Sequence, residues 1–344
     1  MNKVEISKAL SKKLGKEVKI DEINLVGSGY HSDGYKVSTN QGDFFLKKIK
    51  SDDLGFEFPE RKILSLLVSH GMSSRQKSIH PNSIGVAVKN KEFEFLPEIN
   101  QETEVYHFQE FGGEGRSYLS MINDKEKKKD LDSIDKQEID KVIDFICKIH
   151  KTKHPTKDQK KLTSVYNDSL RSVIGHPEYM LLLLQNMGDS PTLKTNEQQG
   201  KFIALMLEAM QHFKNHPERL VALHGDFWGA NAFFKENGDL FMIDYSRMPW
   251  GDAGFDIGFW TSVYIMKYHI TKNDYFRKIA DYFLNKYIEK TKDRDIKKTM
   301  VYSLGLVAVM YSSETWVPGI DNNARTSFFN HVCEILKKKE FFWN

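Results

Sequence analysis

The sequence predicts an α+β fold in two lobes, a small β-rich N-terminal part at residues 1–111 and a larger, mainly helical C-terminal part at residues 112–344. Two observations predict this division. Short aromatic and β-branched runs separated by turn residues fill the first part. After Gly112 and Gly113, apolar residues recur at helical spacing, with one β-like interruption near residues 220–245. A chain of 344 residues is long enough for two such domains.

The first part begins with an amphipathic helix, because its aliphatic residues fall on one side. These are Val4, Ile6, Leu10 and Leu14. A strand is expected over residues 18–26. The Asn40-Gln41-Gly42 turn predicts a hairpin between residues 35–38 and 44–49. Further expected elements are a helix at 57–70 and strands at 84–88, 92–96 and 105–111.

Long helices are expected in the second part. The helical spacing involves Ile134, Ile139, Val142, Ile143, Ile146 and Ile149, and then Phe202, Ile203, Leu205, Met206, Met210 and Phe213. The basic run at residues 125–129 contains no aromatic residue, so we expect a solvated loop rather than a nucleic-acid patch.

The composition excludes several classes of protein. Hydrophobic residues make up 40% and charged residues 28% of the chain, which is a globular balance rather than a disordered one. The net charge of +3 offers no broad field for nucleic acid. No apolar stretch approaches the about 20 residues that span a bilayer, and residues 1–14 do not resemble a signal peptide. Cys147 and Cys333 are expected as free buried thiols. We therefore expect a cytoplasmic protein that binds neither nucleic acid nor membranes, while its oligomeric state stays open.

The motif that indicates chemistry is HGDFWGAN at residues 224–231. Asp226 and Asn231 lie five positions apart on one expected loop, and Asp244 ends the next hairpin. Three oxygen-bearing side chains in this arrangement suit a hard cation such as Mg²⁺ with substrate phosphates. Protein kinases have the same spacing between a catalytic Asp and a metal-binding Asn.

Two upstream features fit the same chemistry. Glycines between residues 26 and 34 let backbone N–H groups approach phosphate oxygens. Lys47 follows on a strand, where alternation places Lys47 and Lys48 on opposite faces. We favour Lys47 as the phosphate-binding lysine and Glu60 over Glu57 as its partner, and both alternatives stay open.

On these residues the chain resembles the aminoglycoside phosphotransferase and choline kinase superfamily, which comprises small-molecule kinases of a protein-kinase-like fold. The resemblance also involves a hinge near residues 109–111, Ile243-Asp244-Tyr245, and the segment GDAGFDI at 251–257. The metal loop reads Asp-Tyr-Ser instead of Asp-Phe-Gly, and Asp33 places a negative charge in the Gly-rich turn.

The resemblance implies transfer of the ATP γ-phosphate to a small-molecule hydroxyl. By the same resemblance, Asp226 is expected to be the catalytic base, and Asn231 and Asp244 are expected to bind Mg²⁺. His224 and Asp256 are expected to brace the loop. The implied nucleotide-binding residues are Gly27, Gly29, Ser32, Lys47, Glu60, Gln109, Glu110 and Phe111.

The acceptor is less well defined by the sequence. An amino sugar, as in aminoglycosides, needs carboxylates, and a choline-like alcohol needs an aromatic cage. The candidate substrate residues are Trp228, Asp252, Glu314 and Trp316, chosen from the acids and aromatics of the second part, which also include Phe227, Trp250, Trp260, Tyr264 and Tyr311. The alternative is a non-catalytic kinase-fold scaffold, similar to spore-coat relatives. A protein kinase is disfavoured, because only eleven residues separate Asp244 from Asp256.

Overall fold

In the computed structural model, which describes residues 2–28, 32–50, 83–89, 93–94, 104–174, 187–245 and 248–343, the chain forms two units. The first unit comprises residues 1–115 and 235–247, and the second comprises residues 116–234 and 248–344. The expected helix at residues 57–70, with Glu57 and Glu60, lies outside the described residues.

The first unit is built on an antiparallel sheet. Its strands among the described residues are β1 (Ile20–Ser28), β2 (Ser32–Thr39), β3 (Gly42–Ile49), β4 (Ser83–Lys89), β5 (Phe93–Glu94) and β6 (Glu104–Glu110). Their order in the sheet is β1-β2-β3-β6-β4-β5. Thr39 pairs with Gly42, so the predicted hairpin turn is confirmed. The strands expected at 84–88 and 105–111 are confirmed as β4 and β6. Strand β5 lies within the strand expected at 92–96, whose other residues lie outside the described residues.

Helix α1 (Lys3–Leu14) covers one face of this sheet. The shared core contains Ile6, Leu10, Val18, Val37, Phe44, Leu46, Tyr106 and Phe108. Asn2 caps the helix by accepting from the Val4 N–H, and Gly15 ends it with a φ of 67°. Val4 belongs to the aliphatic side predicted for this helix, but it is 75% exposed and lies outside the core.

The second unit is mainly helical in its described part. Its helices are α2 (Tyr118–Asp124), α3 (Ser133–His150), α4 (Gln159–Ile174), α5 (Asn196–Phe213), α6 (Gly254–Thr271), α7 (Asp274–Thr291), α8 (Ile296–Thr299), α9 (Val301–Ser312) and α10 (Asn322–Lys338). Its short strands are β7 (Arg116–Ser117), β8 (Leu220–Ala222), β9 (Ala232–Phe234) and β11 (Trp250–Asp252), while β10 (Leu240–Met242) belongs to the first unit. Strand β7 pairs with β9, and β8 pairs with β11. No helix in the described ranges is long and apolar enough to cross a membrane.

Helices α6 and α9 form the buried centre of the second unit, and glycines let them approach closely. A Cβ at Gly258 on α6 would lie 1.9 Å from Ser303 Oγ and 2.6 Å from the Met300 carbonyl oxygen. Ser303 itself donates to the carbonyl of Gly254. The α6 backbone at Gly258 therefore lies directly against Ser303 and the Met300 carbonyl at the start of α9.

The basic run at residues 125–129 is not simply solvated. Lys125 is only 9% exposed, and its ammonium contacts Asp135 at 2.8 Å and also Glu138. Lys128 contacts Asp132 and the same Asp135 at the start of α3. The expectation of a solvated loop is wrong for Lys125, because sequence alone does not show which carboxylates the fold brings to it. Cys147 and Cys333 are both free thiols, but only Cys147 is buried as expected, because Cys333 is partly exposed.

We expect Gly258→Ala to lower the free energy of unfolding by about 2 kcal/mol, because the added methyl meets backbone that cannot yield cheaply. Urea denaturation followed by far-UV circular dichroism measures this change. The matched control is Gly200→Ala on the exposed side of α5, where the added Cβ meets nothing within 4 Å. That variant should gain about 0.5 kcal/mol from helix propensity. Equal stabilities of the two variants would contradict the close packing of α6 and α9.

Candidate active site

The motif at residues 224–231 forms the loop between β8 and β9 in the second unit. Gly225 has a φ of 81°, and a Cβ there would lie 2.7 Å from the Met248 backbone nitrogen. Only glycine fits a left-handed conformation with backbone this close. Leu223 donates its N–H to the Pro249 carbonyl at 3.1 Å, so the segment after residue 247 holds the start of the loop.

Asp226 and Asn231 meet inside this loop. Asn231 Nδ2 donates to both the carbonyl oxygen and the carboxylate Oδ2 of Asp226, each at 2.9 Å. Asn231 is 8% exposed, and its backbone N–H donates to the Trp228 carbonyl. Because the amide nitrogen makes both contacts with Asp226, the amide oxygen of Asn231 is the atom suited to a cation.

Asp256 on helix α6 binds the backbone of the motif loop. Its side chain is fully buried, and it accepts from the backbone N–H of His224 at 2.8 Å and of Gly225 at 3.0 Å. His224 Nδ1 in turn accepts from the Asp226 N–H at 3.3 Å. These contacts place His224 and Asp256 in the positions from which they brace the loop.

Sequence reasoning missed a third member of this network, His150 at the end of α3. Its Nε2 lies 3.2 Å from Asp256 Oδ2, and its Nδ1 lies 2.7 Å from the hydroxyl of Tyr287 on α7. The available signal was its helical position, because Ile143, Cys147 and His150 follow one another on the buried face of α3. A histidine on a buried helix face requires hydrogen-bond partners.

In the first unit, Lys47 contacts the other predicted metal ligand. Lys47 Nζ lies 2.9 Å from Asp244 Oδ1, with the two side chains 18% and 32% exposed. Phe44 and Leu46 are buried on the core face of β3, so strand alternation places Lys47 on the opposite face. Lys48 instead approaches the Tyr106 ring. Lys47, not Lys48, is therefore the lysine beside Asp244.

The Gly-rich turn is described up to Ser28 and from Ser32 onward, so Gly29 lies outside the described residues. Gly27 pairs with Gly34 across the hairpin, and Ser32 pairs with Ile49. The negative charge of Asp33 is locally balanced, because Lys50 Nζ lies 2.9 Å from its carboxylate. The hydrogen bonds from Lys50 and Ser28 hold the pKa of Asp33 below its usual value.

The predicted hinge residues lie at the end of β6. Gln109 and Glu110 pair with Phe45 and Phe44 on β3, and Gln109 is 7% exposed. Phe111 donates its N–H to the Asp43 carbonyl at 3.4 Å. The chain therefore leaves the sheet at residue 111, beside the strand that carries Lys47.

Asp252 does not suit the predicted substrate role. It is fully buried, and Arg219 donates to both of its carboxylate oxygens. Tyr166 OH and the Gly254 N–H also donate to it, at 3.0 and 2.8 Å. Arg219 extends this network to Asp293, with 2.9 Å between Nη2 and Oδ2. Because these donors engage both carboxylate oxygens, Asp252 has a structural role. The prediction that it contacts the substrate is wrong.

Glu314 and Trp316 lie in the loop between α9 and α10. The buried guanidinium of Arg325 organises this loop, donating to the carbonyls of Tyr311, Ser313, Val317 and Ile320 and to the carboxylate of Glu314. Glu314 also accepts from the Gly319 N–H, which is the main cause of its lowered pKa. Glu314 thus shapes the loop, although its side chain remains 49% exposed.

Four of the aromatic residues considered for a cage belong to the core instead, including Tyr311 at 7% exposure. Phe227 and Tyr264 are fully buried and Trp260 is 1% exposed. Phe227 stacks on Trp260 with ring centroids 4.7 Å apart, and Trp260 donates to the Tyr264 hydroxyl. Trp228 on the motif loop and Trp250 on β11 remain half-buried.

Solved structures define the class of fold. Plasmodium vivax ethanolamine kinase superposes with a TM-score of 0.58 at 12% identity, covering 92% of this chain and 84% of that one. An aminoglycoside phosphotransferase solved with ADP and hygromycin B gives a TM-score of 0.51 at 12% identity, covering 97% and 98%. Choline kinase from Streptococcus pneumoniae gives 0.50 at 10% identity, covering 97% and 98%. The fold is therefore protein-kinase-like, as the sequence predicted.

The sequence itself defines the family. Residues 22–272 match the profile of the phosphotransferase enzyme family, which covers more than half of the chain. The protein belongs to this family, and the resemblance noted from its motifs is confirmed. A search of curated protein sequences finds no match.

We expect Asp252→Asn to lower the free energy of unfolding by about 3 kcal/mol, because it removes the charge that faces the buried part of Arg219. Chemical denaturation measures this loss, and Asp295→Asn, which breaks only the exposed pair with Lys298, is the control and should change little. A fully stable Asp252→Asn protein with weakened acceptor binding would restore the substrate role.

Proposed function

We propose that this protein transfers the γ-phosphate of ATP to a hydroxyl group of a small molecule, with Mg²⁺ as the metal. The observation that carries the proposal is the braced pair of Asp226 and Asn231. The amide nitrogen of Asn231 donates to the Asp226 carboxylate at 2.9 Å, so the amide oxygen of Asn231 is the proposed ligand for a cation. This arrangement occurs in a chain of the phosphotransferase enzyme family.

Asp226 is the proposed base. In the transfer, the acceptor oxygen forms a bond to the γ-phosphorus while the bond from that phosphorus to the β–γ bridging oxygen breaks, and ADP leaves. The acceptor proton passes to the Asp226 carboxylate. Most of the rate enhancement in such reactions comes from positioning and electrostatics, so the rigidity of the loop matters as much as the base.

Asn231 and Asp244 are the proposed metal ligands. An amide oxygen and a carboxylate are hard donors that fit Mg²⁺, which completes its shell with water and phosphate oxygens. The described residues contain no group of three or more His, Cys, Asp or Glu side chains that could hold a metal by themselves. When bound, Mg²⁺ neutralises charge that develops on the phosphates.

Lys47 is the proposed phosphate-binding residue in the first unit. Its ammonium already lies beside a carboxylate at 2.9 Å, and a nucleotide phosphate offers a second anionic partner. Glu60 remains the proposed partner that fixes this lysine. Gly27, Gly29 and Ser32 are proposed to contact the phosphates, and the backbone of residues 109–111 is proposed to bind adenine.

The acceptor class is proposed to be an amino alcohol or amino sugar. The structural neighbours include an ethanolamine kinase, a choline kinase and an aminoglycoside phosphotransferase bound to hygromycin B. Trp228, Glu314 and Trp316 remain proposed acceptor contacts, since each is at least partly accessible. The fully buried Phe227 and Tyr264 are not included.

The function is tested by ATP consumption with Mg²⁺ against a panel of ethanolamine, choline, aminoglycosides, sugars and hydroxy amino acids. We expect one class to stimulate turnover. Asp226→Asn should lower kcat by about 10³-fold while nucleotide affinity stays nearly unchanged, because the carboxylate acts on the acceptor hydroxyl. Undiminished turnover in this variant would refute the assignment of the base.

Asp244→Ala should weaken binding of Mg²⁺-ATP by about tenfold or more, because a charged metal ligand is lost. Isothermal titration calorimetry measures the affinity. Asp239→Ala is the control. This exposed carboxylate lies on the preceding turn, where its side chain accepts from the side-chain amide of Asn237. Equal Mg²⁺-ATP affinity in the Asp244→Ala and wild-type proteins would place the metal ligand elsewhere.

A further inference from the structure

A buried chain of hydrogen bonds connects helix α7 with the motif loop. Tyr287 OH lies 2.7 Å from His150 Nδ1, and His150 Nε2 lies 3.2 Å from Asp256 Oδ2. Tyr287 is 1%, His150 6% and Asp256 0% exposed. The chain ends at the backbone N–H groups of His224 and Gly225, both of which donate to Asp256.

For a neutral His150 beside an ionised Asp256, the partners determine the direction of each hydrogen bond. An ionised carboxylate only accepts, so His150 Nε2 must carry a proton and donate it to Asp256. In the neutral imidazole, Nδ1 is then the acceptor, and the Tyr287 hydroxyl must be its donor. Only one of the two neutral tautomers of His150 satisfies both neighbours.

Tyr287 is suited to remain the donor. Burial raises its pKa well above the usual value, and the charges of Cys147, Asp293, Asp252 and Asp256 act in the same direction. The phenol is therefore protonated throughout the range in which the protein can be studied. Its ring stands edge-on to His150, with centroids 5.8 Å apart and an interplanar angle of 82°.

We propose that Tyr287 is a positioning residue for the motif loop, which fixes the tautomer of His150 and thereby aims the Asp256 carboxylate at the N–H groups of His224 and Gly225. Its effect on turnover rests on the proposed function, whereas its effect on the tautomer does not. The hydroxyl, rather than the aromatic ring, performs this role, because a phenylalanine would fill nearly the same volume without donating.

The wild-type protein provides the first test. Long-range ¹H–¹⁵N correlation spectra distinguish the two neutral tautomers of a histidine, and His150→Gln identifies the His150 signals by their loss. We expect a protonated Nε2 and an unprotonated acceptor Nδ1. A neutral His150 protonated at Nδ1, or a doubly protonated ring at pH 7, would overturn the proposal, and neither result depends on catalytic activity.

Tyr287→Phe provides the second test, with Tyr282→Phe as its matched control. Tyr282 also lies on α7 and also bonds α3, through its hydroxyl and Asp140 at 3.1 Å, but it does not belong to the chain. In Tyr287→Phe the Nε2–H of His150 and the N–H groups of His224 and Gly225 should exchange with solvent about tenfold faster. Tyr282→Phe should leave these rates unchanged. Equal exchange in both variants would overturn the proposal.

The kinetic test uses Mg²⁺-ATP with the acceptor that the panel identifies. Tyr287→Phe should lower kcat by about tenfold and leave KM for ATP unchanged, because the loop amides orient Asp226 and not the nucleotide. An unchanged kcat together with the expected tautomer would refute the positioning role. Absence of turnover in the wild-type protein, with the tautomer and exchange rates as expected, would refute the proposed function and leave the chain of hydrogen bonds intact.

Discussion

The buried carboxylate of Asp256 is the constraint on which the motif loop depends. A buried charge is costly unless N–H or O–H donors surround it, and here two backbone amides and one imidazole supply them. Because these donors come from the loop and from α3, the loop cannot leave its position without exposing an unsatisfied carboxylate. The left-handed Gly225 adds a steric constraint to this loop, and the hydrogen bond from Asn231 to Asp226 adds another internal contact.

The second unit uses charge in two different ways. At Asp252, Arg219 and Asp293 the charges are mutually paired, so they stabilise the junction of β11 and α6 and present nothing to a ligand. At Asp226 the carboxylate accepts a hydrogen bond from the side-chain amide of Asn231 and lies on the motif loop. The same residue type therefore has a structural role at Asp252 and a proposed catalytic role at Asp226.

Much of the candidate site could be predicted from the sequence, because its residues lie within one short motif. Five positions between Asp226 and Asn231 are enough for contact on a tight loop, and the structure places them 2.9 Å apart. The alternation of β3 separated Lys47 from Lys48 in the sequence, and the burial of Phe44 and Leu46 in the structure identified the core face. His150 and Tyr287 could not be connected with the motif, because 106 and 31 positions separate them from Asp256. Asp252 was misjudged because nothing in the sequence shows that Arg219 meets it.

The sequence by itself determined the family and the protein-kinase-like class, and it indicated the residues that are proposed to carry the chemistry. These properties follow from local patterns: helical and strand periodicity, turn residues, and a motif whose members are neighbours along the chain. The tertiary structure decided which charges are occupied by the fold, which aromatic rings are core, and which distant side chains support the loop. Those outcomes depend on contacts between residues far apart in the chain, and a pattern along the sequence does not contain the distances that select them.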